Sequence, residues 1–124
     1  MILMKSIPLC AAVFAVSVAC AQDYPSRPVR IVVPFTPGGA TDIVARIVAQ
    51  KLSEQFTRQV VVDNRGGAGG IVGVEVVAKS PPDGYALVMG TSGTHAINAS
   101  LYPNLSYDPA KDFAPITRAA LLPS

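Results

Sequence analysis

The chain has 124 residues, which is enough for about one domain. It carries ten basic and eight acidic residues, a net charge of +2, and they form no basic block or arm. This balance excludes a protein that holds nucleic acid mainly by electrostatic attraction.

The first 21 residues have the layout of a secretory signal peptide. Lys5 stands near the start, an apolar run covers residues 7–20, and Ala19 and Ala21 fit an Ala-x-Ala cleavage site. The run is shorter than the roughly 20 residues that a membrane span requires. We therefore expect cleavage after Ala21 and a periplasmic location for residues 22–124.

Both cysteines, Cys10 and Cys20, lie in this leader. The mature chain would then have no disulfide and no thiolate chemistry, which suits a periplasmic protein with a packed core. Without Lys5 its net charge would be +1. A lipoprotein acylated at Cys20 is the less favoured alternative, because Ser17 stands where a lipobox has a leucine-like residue.

The rest of the chain alternates β-branched runs with helical patterns. We predict strands at residues 29–33, 59–62 and 85–89, and helices at residues 43–56 and 71–78. Such spacing predicts an α/β fold of parallel βαβ units, with helices on both faces of the sheet.

The last third of the chain gives weaker signals. A short helix is expected at residues 96–101 and a fourth strand at residues 114–120. The chain then stops without a closing helix, so we expect a truncated lobe.

A glycine-rich turn follows each of the three strands, at residues 37–42, 66–70 and 90–94. A strand, a glycine turn and a helix start together point backbone N–H groups at a bound anion. Two such turns facing one cleft would bind a negatively charged small molecule. The alternative is that they are simple βα connections, with Gly70 and Gly73 serving close helix–strand packing. Asp42 would either complement the helix dipole or hold the first turn in place.

The turns do not fit a nucleotide site. Val72 stands where a dinucleotide fingerprint needs its last glycine, and the chain has no Gly-Lys-Ser or Gly-Lys-Thr sequence. The third turn also misses the Gly-x-Ser-x-Gly pattern of a nucleophilic serine, because Thr94 replaces its last glycine. With His95 as the only histidine, we expect neither a metal site nor catalysis. The hydroxyl groups of this turn are suited to carboxylate oxygens, and His95 is expected to hydrogen-bond within the loop.

A family resemblance rests on motifs that follow one another through the chain. It is carried by RPVRIVVPF (27–35), PGGATD (37–42), VVDNR (61–65), GAGG (67–70), AKSPPDGY (78–85), GTSGTHAIN (90–98), LY (101–102), YDP (107–109) and DFAP (112–115). Together these resemble the Bug-type substrate-binding receptors of tripartite tricarboxylate transporters. One departure is Gly66, where the family usually has proline, and the extra freedom would loosen the turn slightly.

The resemblance implies a type II periplasmic-binding-protein fold with two α/β lobes and a hinged cleft. Residues 22–124 would form an incomplete first lobe, with the second lobe missing. The implied protein is a receptor and not an enzyme, uses no cofactor, and hands its ligand to a membrane permease. The implied ligands are di- and tricarboxylates, acidic amino acids and aromatic acids. A carboxylate-sensing receptor and a truncated, non-functional fragment remain alternatives.

The resemblance also implies that the ligand carboxylate is held largely by backbone N–H groups of the first two turns, while the third lines the cleft. The implied ligand-binding residues are Gly38, Gly39, Ala40, Thr41, Asp42, Gly67, Ala68, Gly69, Gly70, Thr91, Ser92 and His95.

Overall fold

The computed structural model describes residues 23–121. The expected signal peptide and its cleavage site lie outside the described residues. Three parallel strands form the sheet, namely β1 (Val29–Val33), β2 (Val60–Asn64) and β3 (Ala86–Val88), in the order β2-β1-β3. Helix α1 (Ala40–Phe56) connects β1 to β2, and helix α2 (Ile71–Ala78) connects β2 to β3. The predicted βαβ units are confirmed; β2 extends two residues further than predicted and β3 is two residues shorter.

The central strand β1 is covered on both faces. Val29, Ile31 and Val33 pack with α1 residues in the main hydrophobic cluster. The alternate residue Val32 is also fully buried, as is Val74 of α2. Because side chains alternate along a strand, α1 and α2 lie on opposite faces of the sheet. The prediction of helices on both faces is therefore confirmed.

Helix α1 packs on the sheet largely through the side that its sequence pattern predicts. Val48, Leu52 and Phe56 pack against the core as expected, whereas Ile43 is 54% exposed and Ile47 is 58% exposed. The most buried positions are the small residues Ala45 and Ala49, together with Asp42. Alanine lets a helix backbone approach a sheet closely, and the larger side chains are then displaced to its flanks.

The segment after β3 contains one confirmed element and one error. A turn of π-helix (Gly93–Ile97) runs directly into helix α3 (Asn98–Leu101), where a short helix was predicted. The predicted strand at residues 114–120 is wrong, because these residues pair with no strand in the described part of the chain. Ile116 is 76% exposed. Only Ile116 and Thr117 of this segment are β-branched, and Pro115 has no N–H to donate to a neighbouring strand.

Candidate ligand-binding site

All three glycine-rich turns lie at the carboxyl edge of the sheet. The connection after β1 leads to α1 on one face. The connection after β3 leads to Thr94, which packs against Gly70 at the start of α2 on the other face. Neighbouring strands whose connections diverge in this way form the switch point at which open α/β sheets bind ligands.

Glycines lie where the turns touch one another. A Cβ atom on Gly70 would lie 2.6 Å from Cγ2 of Thr94, and one on Gly66 would lie 3.4 Å from the backbone N of Thr36. A Cβ atom on Gly73 would lie 2.6 Å from the carbonyl oxygen of Arg65. The turns and the start of α2 therefore pack so closely at these glycines that larger residues would be blocked.

The first turn is held by the carboxylate of Asp42, which is 3% exposed. Its Oδ2 atom accepts hydrogen bonds from Arg46 Nε and from the backbone N–H of Gly38, both at 2.9 Å. Its Oδ1 atom accepts one from Asn64 Nδ2, also at 2.9 Å. These hydrogen bonds, led by that of Arg46, lower the pKa of Asp42 to about 2. Asp42 is thus ionised at neutral pH, and its charge is compensated within the protein.

The start of α1 presents a row of backbone donors. The first helical hydrogen bond runs from Ile43 N–H to the Gly39 carbonyl at 3.0 Å. Helix geometry consequently leaves the amides of Ala40, Thr41 and Asp42 without an acceptor inside α1. The positive end of the dipole of this 17-residue helix lies at the same place.

The second turn has an unusual backbone. Gly67, Ala68, Gly69 and Gly70 have φ angles of 136°, 50°, 65° and 89°. An alanine in this left-handed region is uncommon, and such residues persist where their surroundings enforce the conformation.

This conformation sets the direction of two amides. The Gly67 carbonyl accepts from Gly70 N–H, and the Ala68 carbonyl accepts from Ile71 N–H, so both carbonyls point towards α2. In a trans peptide the N–H group points opposite to the carbonyl. The amides of Ala68 and Gly69 therefore point away from α2, as donors at its amino end.

The third turn is organised by Thr94, which is fully buried. Thr94 Oγ1 accepts a hydrogen bond from Thr91 N–H at 2.9 Å and lies 2.8 Å from His95 Nδ1. The His95 ring also packs edge-on against Phe113, with 5.0 Å between ring centroids. Burial lowers the pKa of His95 and favours a neutral imidazole. His95 thus serves the internal structure of the turn, while Ser92 is exposed.

Four residues that contribute to this arrangement were missed as site residues. Arg46 and Asn64 brace Asp42, Asn98 donates to the second turn, and Tyr107 donates its hydroxyl proton to the Thr94 carbonyl at 2.6 Å. The sequence marks these residues only as polar side chains near a glycine turn or within a helix. Such a signal does not identify the residue that each one contacts.

The described residues offer neither a metal site nor a membrane-spanning helix. Within residues 23–121, histidine, cysteine and carboxylate side chains form no group of three or more that could hold a metal ion. None of the helices in that part of the chain has the length and apolar character needed to cross a bilayer.

The sheet order, the divergent connections and the glycine turns at one edge define an α/β lobe of the periplasmic-binding-protein class. The family model described as "Tripartite tricarboxylate transporter family receptor" matches residues 44–124. The chain belongs to this receptor family.

Individual relatives agree with this assignment. BugT of Bordetella pertussis is 41% identical over 104 residues, which are 83% of this chain and 32% of that protein. MatC of Rhodopseudomonas palustris, solved with bound malate, superposes with a TM-score of 0.71 and 41% identity over 74% of this chain and 31% of that one. An R. palustris protein solved with adipate gives a TM-score of 0.68 and 49% identity over 71% and 29% of the two chains. The chain thus spans about a third of the length of these proteins.

Proposed function

We propose that this chain forms one wall of a periplasmic site for the carboxylate group of a small organic acid, which is delivered to the membrane permease of a tripartite tricarboxylate-type transporter. Residues 1–21 would be the cleaved leader and residues 22–124 part of the first lobe. The site would act by binding alone, without catalysis or a cofactor. The malate and adipate held by the two related structures support this class of ligand.

The proposal rests on two sets of backbone amides that point outward at the carboxyl edge of the sheet. Ala40, Thr41 and Asp42 supply donors from α1, and Ala68 and Gly69 supply donors from the second turn. The nearby carboxylate of Asp42 does not compete with a ligand, because its oxygens already accept three hydrogen bonds.

The energetics also favour local donors. A hydrogen bond to a charged group contributes about 1.5–3 kcal/mol, so a few amides suffice for useful affinity. The overall charge of +2 gives little long-range attraction, and the leader accounts for one of those charges. Affinity should therefore depend on the turns and hardly at all on surface lysines.

A titration of the 15N-labelled chain tests the proposal, because amide chemical shifts detect even millimolar binding. Malate, adipate, citrate, glutamate and benzoate would be compared with glucose as a neutral control. We expect the acids to shift the amide signals of Ala40, Thr41, Asp42, Ala68 and Gly69. The same shifts with glucose, or none with any acid, would refute the carboxylate site.

A matched pair of variants localises the binding. Gly39 has a φ of −75°, and a Cβ atom there would meet only the Thr36 carbonyl, at 3.9 Å. Gly39→Val should therefore fold, yet its side chain would stand in front of the helix-start amides and weaken binding. Lys51→Ala removes an exposed charge from the same helix and should leave affinity unchanged. Equal affinities for the two variants would contradict the proposed location.

Export is tested separately. N-terminal sequencing of periplasmic material should begin at Gln22 if residues 1–21 are a cleaved leader. An acylated Cys20 would instead establish the lipoprotein alternative.

A further inference from the structure

Asn98 links α3 to the second glycine turn. Its Nδ2 atom donates a hydrogen bond to the Gly69 carbonyl at 3.1 Å across 29 residues of sequence, and the residue is 5% exposed. A buried side-chain amide that reaches a distant loop constrains that loop more than a surface contact would.

The bond falls at a sensitive place in the turn. Gly69 lies between Ala68 and Gly70, and all three have positive φ angles. The carbonyls of Gly67 and Ala68 are occupied by amides at the start of α2, so the Gly69 carbonyl is the next one along the turn. Asn98 fixes the peptide plane between Gly69 and Gly70, and so directs the Gly70 N–H at the Gly67 carbonyl. That bond in turn holds the Ala68 amide, which lies in the peptide plane of the Gly67 carbonyl, in its outward direction.

Neighbouring contacts of Thr94 fix the position of Asn98 relative to the second turn. Thr94, four residues earlier, packs its methyl group against Gly70, and the Thr94 carbonyl is itself fixed by the Tyr107 hydroxyl. The contacts of the π-helical turn and α3 with the second turn thus include an apolar contact and a hydrogen bond.

We propose that Asn98 is a positioning residue of the anion site, which keeps the Ala68 and Gly69 amides pointed out of α2. This inference rests on the carboxylate-binding function proposed above. Asn98 acts through the turn and makes no contact with the ligand itself.

Asn98→Ala tests this role with two measurements. The first is hydrogen exchange of Gly70 N–H and Ile71 N–H, which are bonded inside the turn. We expect their exchange to accelerate while that of Val32, in the central strand, does not. The second is malate affinity by chemical-shift titration, which should weaken about three- to tenfold, the loss of one net hydrogen bond. Asn104→Ala, at an exposed asparagine, is the matched control and should change neither measurement.

A second variant keeps the test independent of a general loss of stability. Asn98→Asp preserves the shape but offers the Gly69 carbonyl an ionised oxygen in place of a donor. It should weaken malate binding at neutral pH more than Asn98→Ala does. As the new carboxyl becomes protonated at acid pH and can donate again, the protection of Gly70 N–H should return.

The outcomes separate this inference from the proposed function. Unchanged Gly70 exchange in Asn98→Ala, or equal acceleration at Val32, would overturn the positioning role. A further outcome is that the wild-type chain binds no acid while exchange of Gly70 N–H is selectively accelerated in Asn98→Ala. In that case the proposed function fails, and the role of Asn98 in holding the second turn is supported.

Discussion

Gly73→Ala measures how tightly α2 is seated on the first two turns. Gly73 is a helical residue, so alanine would gain about 1 kcal/mol of intrinsic helix propensity. Against this, its Cβ atom would lie 2.6 Å from the Arg65 carbonyl oxygen and 2.7 Å from Cα of Pro34. Both are backbone atoms on different connections, so relief requires α2 to move away from the sheet.

The clash should outweigh the gain in helix propensity. Overpacking a well-packed site costs about 1–3 kcal/mol, and contacts as short as these belong at the upper end of that range. We expect a net loss of about 1–2 kcal/mol, which lowers the Tm of a domain of this size by about 4–16 °C.

Thermal unfolding followed by circular dichroism would measure this loss. Gly39→Ala is the matched control, since it makes the same chemical change at a φ of −75° with its nearest contact at 3.9 Å. Gly39 is the N-cap of α1, where alanine is less favourable than glycine, so this control should lower Tm only slightly and by less than Gly73→Ala does. A Gly73→Ala variant as stable as Gly39→Ala would refute the close seating of α2.

Two further predictions concern the polar contacts that brace the fold. The pKa of Asp42 is lowered from 3.8 to about 2, so its contribution to stability is complete above about pH 4 and is lost as pH falls through 2. Asp42→Asn should therefore lower Tm at pH 5, and its difference from wild type should shrink towards pH 2. Ser53 Oγ accepts a hydrogen bond from the buried Val60 N–H at 2.9 Å, and Ser53→Ala should destabilise the chain by about 1–2 kcal/mol in urea unfolding.

Each of these two predictions has a control on the same protein. Glu54→Gln makes the same kind of change at an exposed position of α1 and should leave Tm at pH 5 close to that of wild type. Ser100→Ala removes an exposed hydroxyl from α3 and should leave the free energy of unfolding within about 0.5 kcal/mol of wild type. A pH-independent difference for Asp42→Asn, or equal stabilities for the two serine variants, would contradict the reasoning.

Local patterns were enough to predict the sheet and its turns. The β-branched run at residues 29–33 and the glycines after each strand are short-range signals, and both reflect constraints on a few neighbouring residues. They placed β1, α2 and the three turns within one or two residues of their positions in the structure.

Features that depend on a distant partner could not be read in this way. Asn98 meets Gly69 and Asn64 meets the Phe35 carbonyl, and each pair is separated by 29 residues. The exposure of Ile43 could not be predicted for the same reason. Ala45 and Ala49 are buried in its place because α1 approaches the sheet closely, which a local pattern does not reveal. The wrong strand at residues 114–120 has only two β-branched residues, a proline at position 115 and no neighbouring strand among the described residues.

The run of positive φ angles in the second turn also limits which residues can replace those of the turn during evolution. Three of the four residues concerned are glycines, and any side chain there would meet a strained backbone. If the turn holds a carboxylate as proposed, it offers few side chains with which to distinguish one acid from another. Selectivity among ligands would then have to evolve in residues outside the turns.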